Sequence, residues 1–238
     1  MKTLILCGGR GTRLREYTET VPKVLVEIGD KPILWHIMKG YAQYGFTDFV
    51  LAVGYLGDQV RDRVLLESDP EWTVRVADTG LETNTGGRVL KAREYLGGAH
   101  FFATYGDGLA NVDLVKLRDF HDAHGRVATL TVVRPTMQFG VVTLGAGGQV
   151  ESFKEKPRVD GWVNGGFFVF GDRVFDYLTV DSALEDDVLQ HLAADGELMA
   201  YPHDDYWACM DTYKDNARLN AEWAAGSAAW QTWGSDGS

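Results

Sequence analysis

The sequence predicts an α/β protein built on a Rossmann-like, doubly wound mixed sheet flanked by helices, with a small β-flap or meander in its second half. Short apolar runs at Lys2–Cys7, Phe49–Val53 and Phe101–Tyr105 alternate with stretches of helical period. The first run feeds a turn containing Gly8, Gly9 and Gly11 at a strand's carboxyl end, where open α/β sheets place ligands. From Val127 onward the texture shifts to strand candidates separated by Gly, Pro and Asp turns.

In chain order, the first strand is followed by Gly8-Gly9-Arg10-Gly11-Thr12-Arg13 and then by Pro22-Lys23. Glycines let the backbone turn sharply and bring N–H groups close to an anion. Arg13 can pair bidentately with phosphate oxygens, and Lys23 is a compact point charge. Glycines alone would equally suit a tight strand exit; Thr12, Arg13 and the Pro-Lys pair favour phosphate handling. The turn is not a P-loop, which needs Gly-x-x-x-x-Gly-Lys-Ser/Thr. Nor is it a dinucleotide fingerprint, because Leu14 stands where the third glycine belongs.

Asp30 and Pro32 open a helix with apolar positions at Ile33, Leu34, Ile37, Met38 and Tyr41, and Gly45 stops it. The charged segment Asp58–Glu67 reads as a solvated helix and Trp72–Ala77 as a third strand. Thr85-Gly86-Gly87-Arg88 opens a helix running to Tyr95, whose first N–H groups could hold an anion or a base carbonyl, or be ordinarily capped. Asp107, between Gly106 and Gly108 at a strand's end, suits a metal or a hydroxyl; turn chemistry accounts for it as well. Asn111 is expected to cap a helix that ends at Gly125.

Strands are expected at Val127–Val133, Phe139–Leu144, Val150–Glu155, Trp162–Phe170 and Glu197–Pro202, with a short helix over Glu185–Asp195. Glu155-Lys156-Pro157 reads locally as a solvated strand end or as part of a site. Trp207–Asp211 brings a second carboxylate, and Thr212–Ala225 is an amphipathic helix. His121 and His124 lie at helical spacing, but no third ligand accompanies them; they are expected at the surface, without a role. Trp162, Trp207, Trp223, Trp230 and Trp233 are expected to pack in the core and at interfaces.

The 238 residues, 45% hydrophobic, support one core and a single domain over the whole chain, with a frayed tail after Trp233. A net charge of −11 argues against a nucleic-acid or anionic-membrane partner, so any anion site must be local. Two cysteines suggest a reducing compartment, and the first apolar run is too short for a signal peptide or membrane span; a cytoplasmic protein is expected.

Two separated Asp carboxylates make a suitable oxygen pair for Mg²⁺, whose remaining ligands come from water and substrate phosphates. With Arg13, Lys23 and Lys156 they form a set coherent with nucleotidyl transfer. On Gly-x-Gly-Thr-Arg followed by Pro22-Lys23, the chain resembles the sugar-1-phosphate nucleotidyltransferases. Lys31-Pro32-Ile33-Leu34-Trp35-His36, Asp78-Thr79-Gly80, Thr85-Gly86-Gly87-Arg88, Tyr105-Gly106-Asp107-Gly108, Asn164-Gly165-Gly166 and Met210-Asp211-Thr212 extend the likeness over nearly the whole chain, toward the glucose-1-phosphate cytidylyltransferase branch.

The resemblance implies the nucleotide-diphospho-sugar transferase fold, in an assembly of identical chains. It implies transfer from CTP to glucose 1-phosphate, giving CDP-glucose and pyrophosphate with Mg²⁺. It places nucleotide at Leu6, Gly8, Gly9, Gly11, Thr12, Arg13, Lys23, Thr85, Gly86, Gly87, Gly106 and Asp107, and Mg²⁺ at Asp107 and Asp211. Sugar phosphate falls to Gly140, Glu155, Lys156 and Asn164, with Arg13, Lys23 and Lys156 as the catalytic cations. The chain departs from the branch in a shorter Tyr55–Asp78 region, in Val21-Pro22-Lys23-Val24-Leu25, and in Cys7 where Ala is usual. The same reaction with another nucleotide or sugar, and a non-catalytic nucleotide-sugar-binding subunit, stand as alternatives.

Overall fold

The computed structural model describes residues 1–14 and 20–234, with Arg13 described by its backbone alone. The end of the tail and the Arg13 side chain, both subjects of expectations above, lie outside the described residues. Strand β1 (Lys2–Leu6) leads to the short strands β2 (Glu27–Ile28) and β3 (Lys31–Pro32), then α1 (Ile33–Ala42), β4 (Asp48–Val53), α2 (Gly57–Glu67) and β5 (Thr73–Asp78). Next come α3 (Thr85–Lys91), α4 (Arg93–Leu96), β6 (His100–Tyr105), β7 (Gly108–Ala110), α5 (Leu114–His124) and β8 (Ala128–Val133). Hairpin strands β9 (Val141–Leu144) and β10 (Val150–Lys154) precede β11 (Val163–Gly171), α6 (Leu189–Ala194), β12 (Leu198–His203), β13 (Trp207–Cys209) and α7 (Tyr213–Ala224).

Seven strands form one sheet in the order β12-β8-β11-β6-β1-β4-β5. Strand β11 runs antiparallel to both neighbours and the other adjacent pairs are parallel, so the sheet is mixed, as expected. Its central strands β1, β4, β6 and β11 read as largely apolar runs because side chains alternate between two buried faces. Ile5, Leu51, Phe102 and Phe167 enter the layer shared with α1, α5 and α7, whereas Leu4, Val50, Phe101 and Phe168 enter the layer with α3 and α6. Each such side chain contributes about 1.5–3 kcal/mol by leaving water.

Local differences from the sequence reading have physical causes. The helix expected over Thr85–Tyr95 ends at Lys91, and a separate turn of helix, α4, follows Ala92. Asp113, not Asn111, caps α5, because its carboxylate accepts from the Lys116 N–H at 3.0 Å. The helix expected over Glu185–Asp195 starts as a π-helical turn, Leu184–Val188, before α6. Thr212 caps α7 in a reciprocal capping box with Asp215. The β9–β10 hairpin stands apart from the main sheet, and Phe139, Leu144, Val150 and Phe153 on it are exposed. Trp162 is also exposed, with the Arg134 guanidinium 4.8 Å from its ring centre. No helix among the described residues is long and apolar enough to cross a membrane.

His121, expected at the surface, is buried instead; its Nδ1 lies 2.9 Å from the Thr129 hydroxyl. His36 is buried too, with Nε2 2.9 Å from the Ile28 carbonyl and Nδ1 accepting from the Trp230 indole N–H at 3.5 Å. An indole N–H only donates, so a neutral ring with its proton on Nε2 satisfies both contacts. Burial lowers the His36 pKa to about 4 against the opposing pull of the Ile28 carbonyl and Asp30. Burial, reinforced by His124 and His100, lowers His121 to about 4 as well. A depressed imidazole contributes stability above its unfolded pKa and loses it as pH falls toward the folded one. Stability should therefore fall from about pH 6.5 toward pH 4, by about 3 kcal/mol for each ring. Urea midpoints at pH 7 and pH 5 measure this; equal midpoints would show that the rings are not held neutral.

Candidate active site

A cleft of about 500 Å³ opens where β1 and β6 end, lined by Leu6, Gly8, Gly9, Gly11, Thr12, Lys23, Thr85, Gly106, Asp107 and Asp211. The glycine turn leaves β1 directly. A Cβ on Gly8 would stand 2.1 Å from the Arg88 guanidinium, so a side chain there would have to displace that arginine. Gly11 takes φ 59°, and its carbonyl accepts from the Leu14 N–H at 2.9 Å, closing the short turn Thr12–Leu14.

Two antiparallel strands position the carboxylates. β13 pairs with β7, Cys209 opposite Gly108, and the Met210 N–H donates to the Asp107 carbonyl at 2.9 Å. Asp107 and Asp211 thereby face each other across the end of the ribbon. The carboxylate of Asp215, part of the α7 cap, accepts from the Asp211 N–H at 3.2 Å.

Lys23 reaches both acids, with its ammonium 2.6 Å from Asp107 and 2.7 Å from Asp211. Burial opposes the charge, but Asp107 and Asp211 outweigh it and raise the lysine's pKa above its usual value. Oxygens of the two acids and the Cys209 sulfur lie within 4.8 Å of one another. Burial first, and the Asp107 and Asp211 charges next, push the Cys209 thiol up, so it stays protonated. The donors left are hard carboxylate oxygens, which fit a hard divalent cation.

Of the Thr85–Gly87 trio, Thr85 alone lines the cleft. Gly86 and Gly87 pack against the 180–182 backbone, where a Cβ would meet the carbonyls of Ser182 and Val180 at 2.7 and 2.2 Å. The Gly87 N–H donates to the Ser182 carbonyl at 3.0 Å and is not presented to the cleft. The residues expected at the sugar phosphate lie to one side. Gly140, Glu155 and Lys156 belong to the β9–β10 hairpin and do not line the cleft; Lys156 turns the chain with φ 44° and has Glu155 at 3.5 Å. Asn164 is one hydrogen bond from the wall, its amide donating to the Tyr105 hydroxyl at 3.1 Å.

Glu185, Tyr105 and Arg88 are among the cleft residues that escaped the sequence reading as site members. Glu185 accepts from the Tyr105 hydroxyl through one oxygen and from the Thr85 hydroxyl at 2.8 Å through the other. Burial and the Glu185 charge push the Tyr105 phenol up, so it remains a donor. Arg88 is buried, and its guanidinium donates to the carbonyls of Val53, Gly80, Leu81 and Gly8 and to the Thr79 hydroxyl, at 2.6–3.2 Å. It pairs with no carboxylate among the described residues. The one available signal was Arg88 itself, directly after two glycines.

Residues 2–224 match the Nucleotidyl transferase family. The chain is 42% identical to a probable glucose-1-phosphate cytidylyltransferase of Bacillus subtilis, covering 98% of this chain and 100% of that one. It is 43% identical to the glucose-1-phosphate cytidylyltransferase of Salmonella typhimurium, again with 98% and 100% covered. Among solved structures, HddC from Yersinia pseudotuberculosis superposes with a TM-score of 0.74 at 22% identity, covering 93% of this chain and 99% of that one, which bears out the fold.

Proposed function

The chain belongs to the nucleotidyl transferase family, and from that premise we propose that it transfers a cytidylyl group from CTP to glucose 1-phosphate, forming CDP-glucose and pyrophosphate. The observation that carries the reading is the meeting, in one cleft, of the glycine turn with Lys23, Asp107 and Asp211. The glycine turn and Lys23 suit a triphosphate; paired carboxylates suit the cation that travels with it.

An oxygen of the sugar phosphate attacks the α-phosphorus in line, and pyrophosphate leaves with the electrons of the bond that breaks. The attacking phosphate is already ionised near neutral pH, so no side chain need accept a proton, and rate comes from positioning and charge neutralisation. Asp107 and Asp211 hold Mg²⁺, which supplies charge neutralisation at the phosphates. The Gly8–Thr12 turn with Arg13 grips the triphosphate. Thr85, which lines the cleft and whose hydroxyl is fixed by Glu185, meets the base. Lys156, with Glu155, Gly140 and Asn164, receives the sugar phosphate from the hairpin side.

Lys156→Ala should raise KM for glucose 1-phosphate roughly tenfold to hundredfold, the worth of one charge-assisted contact, and leave KM for CTP near wild type. An effect confined to CTP would exchange the roles of Lys156 and Lys23. The reading as a whole is tested by pyrophosphate release with five nucleoside triphosphates against several sugar 1-phosphates. CTP with glucose 1-phosphate should be fastest; another winning pair would reassign the substrates, and release with none would favour a nucleotide-sugar-binding subunit.

A further inference from the structure

We infer that Lys23 is a placeholder cation, which occupies the two carboxylates of the metal site in the free protein and is released toward the phosphates when a divalent cation takes its place. This rests on the nucleotidyl-transfer reading for the identity of what enters. The exchange itself follows from geometry. The backbones of Asp107 and Asp211 are held close by the β7–β13 ribbon, by the Met210 N–H on the Asp107 carbonyl and by the Asp215 carboxylate on the Asp211 N–H. Two carboxylates at such a separation repel unless a cation lies between them. Lys23 supplies that cation at 2.6 and 2.7 Å, and its side chain is more buried than either acid, 14% exposed against 25% and 32%.

A dication coordinated by the same oxygens repels the ammonium and competes for its partners. The acids are tied to the ribbon, whereas the lysine sits on a flexible four-carbon stem at the start of the turn Lys23–Leu25. The lysine is therefore the part that moves. It lines the same cleft as Gly8, Gly9 and Thr12, so a displaced ammonium stays beside the turn expected to cradle phosphate. Metal arriving alone must break two ion pairs without offering Lys23 a new partner. Metal arriving with a triphosphate offers one. Nucleotide and metal consequently strengthen each other's binding, and Lys23 carries the coupling.

Mn²⁺ binding followed by electron paramagnetic resonance, without nucleotide, tests this on the wild type and on Lys23→Met. The variant should bind Mn²⁺ at least tenfold more tightly, and the tightening that a non-hydrolysable CTP analogue gives the wild type should shrink. A folded Lys23→Met with unchanged or weaker Mn²⁺ binding would overturn the inference. Should the variant not fold, acylation of the Lys23 amine in the wild type decides: Mg²⁺ alone should speed it, and an unchanged rate would overturn the exchange. Neither readout depends on turnover. Active protein with no Mn²⁺ effect loses the exchange and keeps the function; tightened Mn²⁺ binding without pyrophosphate release with any pair does the reverse.

Discussion

Asp211→Asn is expected to fold like the wild type and to lose turnover by on the order of 10²–10³-fold in Mg²⁺, with Asp107→Asn behaving alike. Each substitution is nearly isosteric and removes one negative charge from a pair that the Lys23 ammonium bridges. Stability should change little, because Lys23 keeps its other carboxylate and the repulsion between the two acids is removed at the same time. The chemistry loses more, because the site then offers the cation one anionic oxygen donor group in place of two. Pyrophosphate release beside a thermal melt separates the effects. Near wild-type rates in either variant would remove Asp107 and Asp211 from the metal site, and equal losses of melting temperature and rate would make their role structural.

The largest stability effect is expected at Arg88. Its guanidinium closes the ends of β1, β4 and β5 by donating to the Gly8, Val53, Gly80 and Leu81 carbonyls and the Thr79 hydroxyl. Methionine at this position would fill much of the volume and leave those acceptors unpaired in a buried place, a cost of about 3–5 kcal/mol. Arg88→Lys should recover only part of it, since one ammonium cannot reach both the Gly8 side and the Thr79 side of the fork. Urea denaturation measures the difference. Arg88→Met within about 1 kcal/mol of wild type would mean that the loops satisfy themselves without it.

Much of the framework was legible because its cause is local. Unbroken apolar runs at Lys2–Leu6, Asp48–Val53 and His100–Tyr105 can be buried on both faces only in a covered sheet. The Thr212–Ala225 helix and the Gly8–Gly11 turn are likewise written in adjacent residues. The cleft was legible where chemistry is carried by rare combinations: the Pro-Lys pair, and Asp107 between two glycines. What escaped depends on neighbours distant in the chain. No local pattern shows the β7–β13 ladder that brings Asp211 to Asp107, a pairing expected only from their chemistry and the family resemblance, or that Glu185 will close on Thr85 and Tyr105. Arg88 was opaque for another reason: its partners are almost all backbone carbonyls, which every residue possesses. His121 was misplaced because a helical histidine without further metal ligands reads as surface, whereas Thr129 gives its ring a buried polar partner.

The central claim is the direct transfer of a nucleotidyl group to a sugar phosphate, and its most direct measurement follows the α-phosphorus. With CTP radiolabelled there and glucose 1-phosphate as acceptor, all transferred label should appear in CDP-glucose, unlabelled pyrophosphate should form in equal amount, and acid-quenched protein should carry no label. Label retained on the protein, or CTP consumed without a labelled nucleotide sugar, would contradict the account.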